Sequence, residues 1–159
     1  MFREMRRKDK LLSEEEALKI LERCTSGVLA VDGDEGYPYA VPLNYAMKDG
    51  KLFFHFAKEG HKIDAIGRNE KVTFCVVDQE EIVAEKFTTH FRSVIVFGRA
   101  RLLTDDAEKR SAMEALVEKL SPDYTEEGKK AIEGSWHRVS LAEIKIEHMT
   151  GKASPVAMQ

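Results

Sequence analysis

The pattern of apolar and polar positions begins with an amphipathic helix. Ser13, followed three residues later by Glu16, forms a capping-box sequence, which is typical of a helix N-terminus. Apolar residues then recur at the spacing i, i+3, i+4 and i+7, namely Ala17, Ile20, Leu21 and Cys24. Residues 1–12, which precede this helix, are highly charged. We expect them to form an N-terminal arm outside the core.

Short apolar runs bounded by turn residues predict a block of strands after the first helix. The predicted strands are 27–31, 37–47, 51–57, 72–77, 92–103 and 138–148. Pro38 and Pro42 lack a backbone donor, so the second strand should lie at an edge or contain a bend. Asp49-Gly50 indicates a hairpin turn, and Gly98 should mark a bulge. The polar segment 78–90 predicts a long loop or a loop with a helical turn.

Three further segments carry helix signals. Residues 60–66 predict a short helix that ends at Gly67, and residues 104–120 predict the longest helix, stopped by Pro122. A weaker helix is expected over 125–133. Because six strands are joined by hairpins more often than by helical crossovers, we expect a mostly-β or α+β fold. An antiparallel sheet curled into a small barrel fits this order best.

Composition narrows the class of protein. The 159 residues suit one domain, 1–159, with an ordinary soluble balance of 43% hydrophobic and 33% charged residues. A net charge of −3 argues against a protein dominated by nonspecific nucleic-acid binding. The chain has no apolar run long enough to cross a membrane, and its start lacks the apolar stretch of a secretory signal. We therefore expect a cytoplasmic protein that does not bind membranes.

Cysteine and histidine usage gives no sign of a metal or disulfide framework. Cys24 and Cys75 are too few for either, and their apolar neighbours predict reduced, buried thiols. The five histidines show no paired metal-ligand spacing, so we expect no metal site.

Candidate chemistry concentrates in residues 55–64, which run from a strand through a glycine turn into a helix. The turn places His61 and Lys62 beside the free N–H groups of a helix start. That combination suits a phosphate or another anion. A solvated basic helix start is the alternative interpretation. The spacing matches neither a P-loop nor GxGxxG, so it names no ligand.

Five motifs in register give the chain an end-to-end resemblance to a known family. They are Met5-Arg-Arg-Lys-Asp9, Tyr39-Ala-Val-Pro-Leu-Asn-Tyr45, His55-Phe-Ala-Lys-Glu-Gly-His-Lys-Ile-Asp64, Ser93-Val-Ile-Val-Phe-Gly-Arg-Ala100 and Ile146-Glu-His-Met-Thr-Gly-Lys152. The sequence resembles the pyridoxamine 5′-phosphate oxidase-like FMN-binding split-barrel family. Within that family it is most similar to the nitroimidazole-resistance (Nim) type proteins.

The resemblance implies a six-stranded split β-barrel with peripheral helices that forms a homodimer with FMN at the interface. The residues implied near the flavin ring are Val41, Pro42, Leu43 and Asn44. The residues implied in flavin and phosphate contacts are His55, Phe56, Ala57, His61 and Lys62. Ser93 matches a polar flavin contact and Met149 a wall of the site. His55 is also the implied catalytic residue, with a half-buried structural histidine as the alternative.

Departures from the family pattern limit the expected chemistry. The oxidases carry an Arg-Lys pair at the phosphate, where this chain has His61-Lys62. The basic residues that bind pyridoxal phosphate in those oxidases have no clear match near the C-terminus, so vitamin B6 oxidation is not expected. The leading hypothesis is an FMN-dependent oxidoreductase that reduces small nitroaromatic substrates such as 5-nitroimidazoles.

Two other classes of function remain open from the sequence. One is a binding module without turnover that holds flavin, the deazaflavin F420 or haem, with His55, His61 or His148 as the axial ligand of a haem. The other is a structural dimer with a vestigial pocket. A yellow chromophore, a Soret band or neither would separate the three.

Overall fold

The computed structural model describes residues 1–154, which form a seven-stranded antiparallel sheet with four α-helices. The strands are β1 (Ser26–Asp32), β2 (Pro38–Asn44), β3 (Ala46–Lys48), β4 (Lys51–Ala57), β5 (Lys71–Val83), β6 (Thr88–Leu102) and β7 (Val139–Ala153). The helices are α1 (Glu14–Arg23), α2 (His61–Arg68), α3 (Asp106–Leu120) and α4 (Thr125–Ser135). The expected mostly-β or α+β class is confirmed.

The order of the strands shows that the sheet curls round on itself. It runs β2-β1-β5-β6-β7-β4-β3, so β2 and β3 lie at opposite edges. Yet only Tyr45 separates these two strands in the chain, which brings the two edges to a common corner. The Tyr45 side chain is buried there, and its hydroxyl donates to the carbonyl of Leu21 at 2.7 Å. Within residues 1–154 the edges do not pair, so the ladder stays open.

The predicted number of strands, six, was wrong because the segment 37–47 forms two strands. Tyr45 turns into the core between β2 and β3, and this turn sends β3 to pair with β4 while β2 pairs with β1. The two prolines do lie in an edge strand, as the sequence indicated. The hairpin turn between β3 and β4 is also confirmed, with positive φ at Asp49 and Gly50.

The loop predicted over 78–90 was wrong in extent, although the helical turn it allowed is present as a short 3₁₀ helix, Ala84–Lys86. β5 continues to Val83 and β6 begins at Thr88, with Glu80 opposite Phe91 and Ile82 opposite Thr89. Backbone pairing carries this hairpin although its side chains are mostly exposed, so it lacks the apolar alternation that signals a strand. In the same way β7 extends to Ala153, past the predicted end, because β6 offers it a partner as far as Arg92.

Local signals in the helices and at the bulge were mostly reliable. Ser13 and Glu16 form the capping box at the start of α1, and the register shifts between Phe97 and Gly98 as expected. The prediction that Gly67 ends α2 was wrong, because the helix includes Gly67 and continues to Arg68. No helix in the described part of the chain is long and apolar enough to cross a membrane.

Two apolar clusters hold the sheet and helices together. The larger fills the inside of the curled sheet and includes Leu29, Phe54, Phe74 and Val96. The smaller lies between the sheet and the α3–α4 pair and includes Leu103, Met113, Leu116, Ile132 and Leu141. Strand β4 therefore has Phe54 and Phe56 in the core on one side and His55 on the side of α3 and α4. Cys24 and Cys75 are free thiols, and both are only half-buried.

Candidate functional site

The start of α2 is an open helix N-terminus. Gly60 precedes it with φ of 141° and ψ of 171°, a conformation that favours glycine, and it has no side chain to cap the helix. The N–H groups of Ile63 and Asp64 donate to the Gly60 carbonyl at 3.1 and 3.2 Å. By helix geometry the N–H groups of His61 and Lys62 have no partner within α2. They can bind an anion together with the positive end of the helix dipole.

Lys62 adds an uncompensated positive charge at this point. Its side chain is half-buried, and its Nζ lies 5.9 Å from the centre of the Phe56 ring, which is in the core. The ring supports the stem and offers a weak cation–π contact. Among residues 1–154, no carboxylate lies within ion-pair distance of Lys62. Lys62 is thus placed to attract an anion to the start of α2.

His61 is tied to the turn between β1 and β2. Its ring stacks on Tyr39 with centroids 4.1 Å apart, and its Nε2 accepts the N–H of Asp34 at 3.2 Å. An accepting Nε2 places the proton of a neutral ring on Nδ1. Arg68 donates to the Asp34 carboxylate at 3.1 Å and holds the same turn from the far end of α2. The structure therefore gives His61 an anchoring contact, with Nδ1–H as its remaining donor.

Strand β2 presents its residues alternately to the two sides of the sheet. Val41 and Leu43 pack against the core, while Pro42 and Asn44 face outward. The Asn44 amide donates to the Thr25 carbonyl at 3.1 Å. Because β2 pairs only with β1 in the described chain, the backbone groups along its other edge are open to a ligand or a partner.

An exposed apolar surface runs across five strands on the outside of the sheet. We call it the outer face, defined by the paired row Pro42, Val28, Cys75, Ile95 and Thr150. Val28 is 40% exposed, and Ile95 is 39% exposed. Alternation along the strands places Asn44 and Ser93 on this face too. A contiguous apolar surface of this kind marks an interaction site more often than a solvated surface.

The remaining predicted site residues lie elsewhere. His55 lines an apolar pocket of about 310 Å³ with Met113, Leu116 and Ile132 of the α3–α4 pair. Ala57 is exposed at the end of β4. Met149 lines a groove of about 650 Å³ between β7, α1 and the N-terminal arm. The structure thus brings Phe56, His61 and Lys62 together, while the outer-face residues, His55 and Met149 stay separate within one chain.

Sequence reasoning missed two aromatic contacts at these places. Tyr39 supports His61, and the alternation of Tyr39 with Val41 and Leu43 could have indicated its direction. His148 stacks on Phe2 of the arm at 4.7 Å. Nothing in the local sequence pairs residue 2 with residue 148, so no local signal could have found that contact.

A family model for pyridoxamine 5′-phosphate oxidase matches residues 13–153. The chain belongs to this family. No curated protein matches the sequence. Its fold resembles that of a candidate 5-nitroimidazole antibiotic resistance protein from Bacteroides thetaiotaomicron, with a TM-score of 0.74 at 22% identity over 89% of this chain and 85% of the other.

Two further solved structures place the fold among proteins named for their cofactors. An FAD-binding protein from Mesorhizobium loti has a TM-score of 0.63 at 26% identity, over 91% of this chain and 97% of the other. The FAD and heme binding protein from Mycobacterium smegmatis has a TM-score of 0.79 at 18% identity, over 92% of this chain and 74% of the other. These likenesses support the fold.

Proposed function

We propose that the protein binds FMN and acts as an oxidoreductase on small electron-poor aromatic substrates such as 5-nitroimidazoles. The observation that carries the proposal is Lys62, an unpaired cation at the uncapped start of α2 in a chain of the pyridoxamine 5′-phosphate oxidase family. That site fits the phosphate of FMN. When bound, the flavin would supply the electron transfer, and the protein would supply binding and orientation.

The residues around the proposed cofactor have separate tasks. Lys62 and the first N–H groups of α2 would hold the phosphate. The open edge of β2, from Val41 to Asn44, would offer backbone groups to the ring, with the Ser93 hydroxyl on the same outer face. His55 would act on the substrate as a proton donor, and Met149 would form a wall.

A homodimer is part of the same proposal. The proposed residues form separate groups in one chain, so a second copy is needed to bring Lys62, His55 or Met149 near a flavin ring that lies on the outer face. Exposed Val28, Val77 and Ile95 give that face an apolar surface for the partner. Each flavin would then lie between two copies.

The cofactor is tested by titrating the purified protein with FMN and following the quenching of flavin fluorescence. Lys62→Ala should weaken binding by about ten- to 150-fold, since a charge-assisted hydrogen bond contributes about 1.5–3 kcal/mol. Lys86→Ala, at an exposed turn between β5 and β6, is the control and should leave the affinity unchanged. A colourless protein that binds no FMN would overturn the proposal, and a Soret band on titration with haem would favour the haem alternative.

The role of His55 needs a separate measurement. With FMN at saturation, His55→Gln should slow reoxidation of the reduced protein by 1-methyl-5-nitroimidazole by about 100-fold, the lower end of the range for loss of a general acid. Stopped-flow absorbance of the flavin reports that rate. An unchanged rate would remove His55 from the reaction.

A further inference from the structure

Three aromatic rings meet on the outer face where β6 pairs with β7. Phe97 lies opposite His148 in the ladder, and the ring of Phe2, from the N-terminal arm, rests against both. Phe2 and His148 are nearly parallel, at 8°, with centroids 4.7 Å apart, and Phe2 lies 5.5 Å from Phe97. Phe2 itself remains 44% exposed. The ring at this place is therefore held by stacking at the surface and not by enclosure in the core.

One ring nitrogen of His148 lacks a hydrogen-bond partner at this site. Its Nε2 is buried and has no hydrogen-bond partner in the described chain. Buried polar atoms are usually paired, because an unpaired one loses its bonds to water without replacement. Phe2 covers a face of the ring but has no polar side-chain atom to offer. A ligand with a polar substituent could supply what Phe2 cannot.

Space and charge beside Phe2 and Phe97 suit a small neutral molecule, in a cavity that His148 itself does not line. Phe2 and Phe97 line a cavity of about 360 Å³ together with Ala30 and Thr73 of neighbouring strands. That volume lies in the range of small-molecule pockets. Arg99, at the rim, already donates to Glu147 at 2.8 Å and is also paired with Glu70. A second cation, Lys71, also lines the cavity. The two carboxylates beside Arg99 offset the two positive charges, and this balance favours an uncharged ring over an anion.

We propose that Phe97 and His148 form a binding site for a neutral planar aromatic ligand and that Phe2 occupies this site when the ligand is absent. The ring of the ligand replaces the ring of Phe2. An acceptor substituent that reaches past the edge of the imidazole takes a hydrogen bond from Nε2–H of His148 in the plane of that ring. The assignment of this site to the substrate of an oxidoreductase rests on the proposed function. The binding itself requires no flavin.

The test uses the full chain without added flavin, titrated with 1-methyl-5-nitroimidazole and followed by NMR line shifts. Phe2→Ala removes the competing ring and should tighten binding roughly two- to tenfold, the range given by one aromatic stack. Phe97→Ala should weaken binding by a similar factor. Tyr37→Ala, which removes an exposed aromatic ring between β1 and β2, is the matched control and should change nothing.

His148→Phe tests the hydrogen bond while keeping a ring in place. In the Phe2→Ala background it should weaken binding about fivefold or more, because stacking survives and the bond to Nε2 is lost. The inference is overturned if Phe2→Ala leaves the affinity unchanged, if neither Phe97→Ala nor His148→Phe weakens binding, or if the probe does not bind. FMN titration of the same variants tests the cofactor proposal independently, so either idea can fail alone.

Discussion

At the scale of single residues, the Asp78 carboxylate links α1 to β5. It accepts from Nε of Arg23 at 2.9 Å and from the Cys24 thiol at 3.4 Å, and its side chain is only 9% exposed. The hydrogen bond from Arg23 holds the pKa of Asp78 below its usual value. Burial, followed by the hydrogen bond to Asp78 and then by the charge of Asp78, raises the pKa of Cys24 to about 11.

The Asp78 pair predicts a pH-dependent contribution to stability. Asp78→Asn should lower the free energy of unfolding by about 1–2 kcal/mol at neutral pH. This value is at the lower end of the range for hydrogen bonds between charged groups, because the Arg23 side chain is about half exposed to solvent. The pKa of Asp78 is lower in the folded chain than the unfolded value of about 3.9, so this contribution is complete above about pH 4 and is lost as pH falls through the folded pKa. Urea unfolding of both proteins across that range measures it.

The control for this experiment is Asp123→Asn, which changes an exposed carboxylate just before α4. It should alter the free energy of unfolding by less than about 0.5 kcal/mol at any pH. A difference between wild type and Asp78→Asn that stays constant with pH would contradict the assigned ion pair.

The raised pKa of Cys24 predicts that its thiol reacts slowly with alkylating reagents. At about pH 8 it should react with iodoacetamide at least roughly 100-fold more slowly than in the urea-unfolded chain, because the thiolate is the nucleophile. Mass spectrometry of the alkylated peptide gives the rate. Asp78→Asn should accelerate the reaction by removing a neighbouring negative charge, and a slower reaction in that variant would contradict an electrostatic effect of Asp78 on the thiol.

At the scale of elements, the close approach of the β6 and β7 backbones decides which residues can replace Gly98 at the bulge in β6. A Cβ added at Gly98 would meet the carbonyl oxygen of Lys145 and, at 2.7 Å, a methyl carbon of Ile144. Both belong to β7, which is paired with β4 on its other side and cannot retreat. By contrast, a Cβ at Gly134 in α4 would meet nothing within 4 Å.

These two glycines form a matched pair for a stability test. Gly98→Ala should lower the free energy of unfolding by about 2 kcal/mol or more, through overpacking against a fixed backbone. Gly134→Ala should raise it by up to about 1 kcal/mol, because alanine loses less entropy in a helix. Chemical unfolding at equilibrium measures both, and equal effects would show that close approach does not restrict Gly98.

At the scale of the whole molecule, the outer face exposes several apolar side chains to solvent. Val77 is 59% exposed and lies two residues along β5 from Cys75, which pairs with Val28 and Ile95 on the neighbouring strands. Exposure of several apolar residues in register is expected on a chain that pairs with a copy of itself. The separation of the proposed site residues within one chain also supports the dimer proposal.

The dimer proposal predicts that a charge at the centre of the outer face separates the copies. Ile95→Lys should give a monomer in size-exclusion chromatography with light scattering, and it should weaken FMN binding in parallel because the site is shared. Tyr124→Lys places the same charge on an exposed residue just before α4 and should leave the dimer intact. A monomeric wild type would overturn the dimer, and dissociation by Tyr124→Lys would overturn its location.

Comparison of particular elements shows where sequence reasoning worked. The capping box at Ser13, the helix before Pro122 and the bulge at Gly98 were found because each depends on residues close in the chain. The long β5–β6 hairpin and the division at Tyr45 were missed because both depend on pairing with distant strands. The glycine turn and Lys62 at the start of α2 were found from the sequence, whereas the anchoring of His61 by Asp34 required the folded chain.

The sequence by itself determined the local elements, the mostly-β class and, through five weak motifs in register, the family. Local backbone preferences and side-chain periodicity act over a few residues, so they can be read directly from the chain. Tertiary structure alone decided which strands became neighbours, how the sheet curled about Tyr45, and that Phe2 rests on His148. Those outcomes depend on burial and on hydrogen bonds between residues far apart in the chain, and no local pattern encodes them.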